Sequence, residues 1–185
     1  MRVLCKNLGK SDLLTVEIAH GHLPSTKFHV TVGREYKVYG LLFTGAVLHY
    51  LIEDDTTAGP GWYPASLFTV ACDRVSRYWC LSNWSNSERY FVVISFPEIT
   101  ASPLAFESLV NGDREARNVF RKREQLADLE FPDPSIQVKE VARLLDGDWL
   151  QCPFCADAWQ SKTPDALVRC PTCQKISNNP RYDAS

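Results

Sequence analysis

Two Cys-x-x-Cys pairs near the C-terminus constrain this chain more than any other feature. Cys152-Pro153-Phe154-Cys155 and Cys170-Pro171-Thr172-Cys173 are separated by fourteen residues. That spacing lets four thiolates close on one tetrahedral cation, with Zn–S distances near ~2.3 Å. Each pair predicts a tight knuckle whose backbone N–H groups can point at sulfur, and the residues between suffice for a short hairpin from Ala158 to Arg169. Four protein ligands leave no coordination position for an activated water. The expectation is therefore one structural Zn2+ held by Cys152, Cys155, Cys170 and Cys173. A segment this small cannot bury enough apolar surface to fold unaided, whereas zinc contributes on the order of 10–16 kcal/mol to such peptides. Without metal it is expected to be disordered. The rival readings are iron in the same four sulfurs, two disulfides, or a thioredoxin-like redox pair. The redox pair needs a Cys-x-x-Cys at a helix start in a βαβ unit, and the sequence offers none.

These residues resemble a zinc ribbon of the rubredoxin-knuckle type, over about the last 35 residues of the chain. The usual pattern places Gly after each second Cys, where a positive φ is convenient. Here Ala156 and Gln174 occupy those positions, which implies knuckles that are slightly wider or slightly strained. Because rubredoxins share the knuckle, a rubredoxin-like electron carrier remains an alternative.

The remaining length, within 185 residues that are 45% hydrophobic and 23% charged, fits one ordinary domain beside that appendage. Met1 to Lys6 lacks the apolar run of a signal peptide, and no stretch approaches the roughly 18 apolar residues of a membrane span. The expectation is a cytoplasmic protein with no membrane partner. Cys5, Cys72 and Cys80 lie scattered in apolar or aromatic surroundings and read as buried thiols. A net charge of −2 and a pI near 6.1 argue against a chain whose main work is neutralising phosphates. The ribbon carries Lys162, Arg169, Lys175 and Arg181 against Asp157, Asp165 and Asp183. Nucleic-acid binding through the ribbon, with Trp159 available for stacking, is kept as an alternative and not favoured.

Up to about residue 100 the pattern is that of strands. Leu14, Val16 and Ile18 alternate with polar residues, and so do Phe28, Val30 and Val32. Residues 36–43 and 46–53 form two runs joined at Thr44-Gly45, which predicts a hairpin buried on both faces. Tyr90 to Phe96 is a further strand stopped by Pro97. Beyond it, Pro103–Val110 predicts a short helix ended by Asn111-Gly112. Asp113 can cap a longer helix to about Glu130. Val138, Val141, Ala142 and Leu145 make an i, i+3, i+4, i+7 stripe that predicts a third helix.

At Tyr63-Pro64-Ala65-Ser66-Leu67-Phe68 the chain resembles the end of an SH3-like barrel, where a strand meets a Pro, makes one 3₁₀ turn and continues as a last strand. The fold class expected is α+β: a mainly antiparallel SH3-like barrel over 1–100, a helical segment over 101–148 packed on it, and a zinc ribbon over 149–185. The Ala-Leu-Tyr-Asp-Tyr signature of peptide-binding SH3 domains is missing.

Candidate sites follow from that frame. Glu53-Asp54-Asp55 running into Trp62 and Tyr63 could form an acidic, aromatic groove for Arg- or Pro-containing peptides, with Trp159 a further candidate contact. Arg121-Lys122-Arg123 lies in a stretch with as many acids as bases and reads as a solvated helix face. His20-Gly21-His22 reads as a surface turn. No phosphate loop, His-Glu-x-x-His or Gly-x-Ser-x-Gly is present. The expected function is that of a non-enzymatic, zinc-binding protein-interaction module, such as a small cytosolic inhibitor or a toxin's immunity protein, with a protein partner.

Overall fold

The computed structural model describes residues 1–6, 27–56, 59–85, 90–133 and 136–182. The chain divides into two compact units, Met1–Arg123 and Glu124–Ser185. It is a mixed α+β protein in which, among the described residues, the strands pair antiparallel and one isolated bridge, Val141 to Asn178, is parallel.

In the first unit, β1 (Arg2–Cys5) lies between β2 (Glu35–Lys37) and β6 (Phe68–Cys72). A second sheet runs in the order β5 (Pro60–Pro64), β4 (Val47–Glu53), β3 (Gly40–Thr44), β8 (Phe91–Ser95), β7 (Cys80–Asn83). A hairpin forms as β3–β4, paired from Gly40↔Leu51 to Thr44↔Val47, but its two-residue turn is Gly45-Ala46 instead of the expected Thr44-Gly45. Residues 36–37 of the expected first run belong to β2 in the other sheet. Gly45 takes φ 59°. Positive φ is the conformation that glycine supplies without a Cβ clash. On β4 the side chains of Tyr50, Leu51 and Ile52 are all buried, so both faces of this strand are covered. Val3, Ile52, Leu67 and Phe68 pack with Tyr36, Tyr50 and Tyr63 in one cluster, and the Tyr36 and Tyr50 rings meet Phe68 nearly edge-on.

Between β5 and β6 the chain makes a 3₁₀ turn at Ala65–Leu67 directly after Pro64, the local geometry expected there. Among the described residues the sheets do not close into a barrel.

The Phe28–Val32 run is a correction: it is not a strand. Val30 is buried in the core cluster, but Val32 is 53% exposed. Backbone groups here go to other partners, with Thr31 N donating to Tyr36 Oη at 2.6 Å and Gly33 N to Cys5 O at 2.9 Å. The Leu14–Ile18 run and His20-Gly21-His22 lie outside the described residues.

Helices occupy Pro97–Thr100, Pro103–Val110 and Arg114–Glu130. Ser102 caps the second by accepting from Ala105 N at 3.1 Å. Asp113 Oδ1 accepts from Glu115 N and Ala116 N at 3.0 Å each, satisfying donors that a helix start leaves unpaired. Among the described residues no helix is long and apolar enough to cross a membrane.

The third expected helix is also overturned. Residues 136–142 form no helix, Val141 makes an isolated bridge to Asn178, and Arg143–Leu144 form strand β9. The backbone from Val138 to Ala142 is held by Asn178: its side-chain amide donates to Val138 O, its N–H to Glu140 O, and its carbonyl accepts from Ala142 N. An apolar stripe of four residues fits either conformation, and the backbone partners available decide it.

The second unit holds two small sheets. β9 and β11 (Ala158–Gln160) flank β10 (Trp149–Gln151), and β12 (Leu167–Arg169) pairs with β13 (Ile176–Asn178). Ala142, Leu150 and Val168 form its apolar centre, with Trp159 packed against them.

Candidate metal centre

Each Cys-x-x-Cys sits between the strands of a hairpin, the first between β10 and β11 and the second between β12 and β13. The two knuckles are built alike, position by position, at an offset of eighteen residues, as Cys152 is from Cys170. Ala156 N donates to Cys152 O and Gln174 N to Cys170 O, both at 3.0 Å. Cys152 N donates to Asp157 O at 2.8 Å, and Cys170 N to Lys175 O at 3.0 Å. The residue before each first cysteine donates its side chain to the carbonyl that follows the second: Gln151 Nε2 to Ala156 O at 3.1 Å, Arg169 Nη1 to Gln174 O at 3.3 Å.

Ala156 and Gln174 take φ of 61° and 60° and are the positive-φ non-glycine residues among those described. The strain read from the missing glycines is thus located in two backbone torsions, at roughly 1–2 kcal/mol each for an L-residue in this region.

The four sulfurs lie within 4.8 Å of one another. Cys152 Sγ and Cys173 Sγ are 3.6 Å apart, and Cys155 Sγ and Cys170 Sγ 3.7 Å. A tetrahedron with Zn–S near 2.3 Å has an edge of about 3.8 Å, whereas a disulfide needs ~2.05 Å. All four cysteines are free thiols. The donor set therefore fits one metal ion and is compatible with a structural zinc.

The cluster favours ionisation at one sulfur and opposes it at another. Burial opposes loss of the Cys152 proton, but the Phe154 N–H, 3.4 Å from its sulfur, the Cys155 N–H and the neighbouring thiols outweigh it and bring Cys152 down to about 7. At Cys155 the Asp157 N–H favours the thiolate, yet partial desolvation by its neighbours and the other thiols prevail and push it up to about 12. Four thiols this close share protons, and a bound divalent cation inverts that balance by stabilising all four thiolates.

The other sequence candidates fall elsewhere. Asp54 receives Tyr63 Oη and both the N–H and hydroxyl of Thr56. Asp55 receives Thr31 Oγ1 at 2.7 Å, Arg34 Nη1 at 2.6 Å and Tyr36 Oη at 2.9 Å. Both carboxylates thus tie loop residues to core tyrosines. The Asp55 carboxyl is held below the usual range first by the Thr31 hydroxyl, then by Tyr36 and Arg34. Glu53 lies 3.8 Å from Arg121.

Tyr63 is buried and its ring tilts against Phe28. Trp62 is half-buried, stacked on Phe106 at 5.1 Å between centroids, and Trp84 meets Phe106 edge-on. Gly40 makes room for this arrangement, since a Cβ there would lie 3.2 Å from the Trp62 ring and 2.9 Å from Ser95.

Trp159 leans on the second unit's apolar centre. The four ribbon bases divide between two places. Arg169 and Lys175 belong to the knuckles, whereas Lys162 pairs with Asp148 at 3.1 Å and Arg181 donates to Ser161 O and Gly147 O, near the opposite end of β10.

Sequence reasoning missed Gln151, Asp157, Arg169 and Thr172 as supports of the site. The eighteen-residue echo between the knuckles was the available signal. Comparisons of the chain with family models, curated proteins and solved structures found no match.

Proposed function

We propose that this protein is a non-enzymatic, zinc-stabilised protein-interaction module, in which an SH3-like β unit carries a C-terminal zinc ribbon. The observation that carries the reading is the set of four sulfurs at separations close to a tetrahedral edge. Such a set fills the coordination of a metal with protein ligands, so the ion serves the fold. The SH3-like part is supported by the 3₁₀ turn after Pro64 and by the return of β6 to pair with β1. A partner surface is supported by the half-buried group Trp62, Trp84 and Phe106, because aromatic residues are enriched among interface anchors. A small inhibitor or immunity-type protein fits that description.

Metal analysis of the purified full chain tests the zinc half: one zinc per chain is expected. Visible thiolate-to-iron absorption would instead raise the electron-carrier alternative. The interaction half is tested by affinity capture with the wild type and Trp62→Ala as baits. Loss of a partner by a variant that still melts within a few degrees of wild type supports Trp62 as an anchor. A variant that fails to fold makes it a core residue and moves the search to the ribbon. A gel shift at low salt decides against nucleic acid if no affinity is seen there, since phosphate binding strengthens as salt falls.

A further inference from the structure

The knuckles also hold each other. Thr172 Oγ1 of the second donates to Asp157 Oδ2 beside the first, and Lys175 Nζ beside the second lies 4.8 Å from the centroid of the Phe154 ring in the first. The two contacts are reciprocal. In each, the residue just before one knuckle's second cysteine meets the residue two places after the other's. One is a charge-assisted hydrogen bond and the other a cation–π contact, so the equivalence lies in geometry and not in residue type.

The positions matter because of where the sulfurs face. Cys152 and Cys170 are buried, whereas Cys155 is exposed and Cys173 half-buried. Phe154 and Thr172 each immediately precede one of these outward cysteines. Water or a competing ligand reaches Cys155 and Cys173 first, and a sulfur can swing away from the ion only if its stretch of knuckle moves.

We propose that Asp157–Thr172 and Phe154–Lys175 form a two-part latch that holds Cys155 and Cys173 in place and sets how fast the metal ion leaves. The proposal rests on the metal reading above. All four side chains belong to exposed residues, so substituting them leaves the apolar centre at Ala142, Leu150 and Val168 intact.

The test uses the full chain loaded with zinc and follows transfer of the ion to a chromogenic chelator. Thr172→Val keeps the side-chain shape and removes the donor. We expect transfer to accelerate roughly tenfold, and roughly a hundredfold when Phe154→Leu is added, in line with the effect of residues that support metal ligands. Thr172→Ser restores the hydroxyl and should return the wild-type rate. Lys175→Arg should exchange like wild type, while Lys175→Gln should match Phe154→Leu and add nothing to it. A double variant that exchanges within about twofold of wild type, against that expected factor, overturns the latch, and so does a Thr172→Ser protein as fast as Thr172→Val. A wild-type chain that takes up no zinc overturns the metal reading and the latch with it, so the two failures are told apart.

Discussion

The units Met1–Arg123 and Glu124–Ser185 differ in the apolar clusters they contain. The first gathers Val3, Ile52, Leu67 and Phe68 with three tyrosine rings into a continuous cluster. The second has Ala142, Leu150 and Val168 with Trp159 beside them. Fully burying a large apolar side chain is worth roughly 1.5–3 kcal/mol, while ordering each backbone residue costs about 1–2 kcal/mol. A centre of that size cannot order the span from Glu124 to Ser185 by burial alone. On the proposed reading, four thiolates on a divalent cation supply what the apolar centre lacks. The contrast then teaches that one chain can join a metal-dependent unit to a burial-dependent one, and that each should fail under its own stress.

The largest expected effect breaks the second unit alone. Cys152→Ser removes a buried ligand and forfeits most of a metal contribution on the order of 10–16 kcal/mol. Near-ultraviolet circular dichroism should lose the Trp149 and Trp159 signals, and metal content should fall, while a cooperative melt from the first unit persists. Loss of that melt too would show that the units are not independent.

The converse variant attacks burial. Ile52 is fully buried on β4, and Ile52→Ala should cost about 2–5 kcal/mol. Calorimetry should show the first unit melting lower with zinc stoichiometry unchanged.

Acid should separate the units by pH. The Asp55 carboxyl is held low by Thr31, Tyr36 and Arg34, and Asp54 is held low by Thr56 and Tyr63 although burial opposes it. The stability they lend is complete above an ordinary carboxyl value near ~3.9 and is lost as pH falls through their lower folded values. Metal release needs only protonation of thiolates, which begins at higher pH. On acid titration, released zinc should therefore appear before the first unit's tyrosine signals change. Asp55→Asn should narrow that gap by moving the first unit's transition upward.

The smallest effect concerns the strained torsions. Ala156→Gly and Gln174→Gly each relieve roughly 1–2 kcal/mol at positive φ and give back about 0.5–1 kcal/mol in chain entropy. Each should raise zinc affinity by a few-fold in a competition titration. No gain at either site would show that the knuckle torsions carry little strain.

What the sequence made legible follows the same division. The four ligands could be read because thiolate spacing is a local property, and the Pro103–Val110 helix because its Pro start and Asn-Gly stop are local too. The β3–β4 hairpin could be read from two apolar runs around Gly45. What escaped was set by partners distant in sequence. Val138–Ala142 carries a helical stripe but bonds to Asn178, some forty residues on. Phe28–Val32 alternates like a strand, but Thr31 N donates to Tyr36 Oη while Thr31 O and His29 O accept from Arg34 N and Asp55 N. The bonds of Asp54 and Asp55 to Tyr63, Tyr36 and Thr31 likewise could not be read from the acidic run itself. Pattern reports which side chains prefer burial, and the identity of the hydrogen-bond partner completes the assignment.

Hydrogen exchange of the full chain, before and after zinc is stripped by a chelator, tests the central claim most directly. The account predicts that amides of Ala142, Leu150, Val168 and Cys170 lose protection when the metal is removed, while those of Val3, Leu51 and Ile52 keep theirs. Unchanged protection across the second unit would contradict a metal-built ribbon, and an equal loss in both units would contradict the separation of their forces.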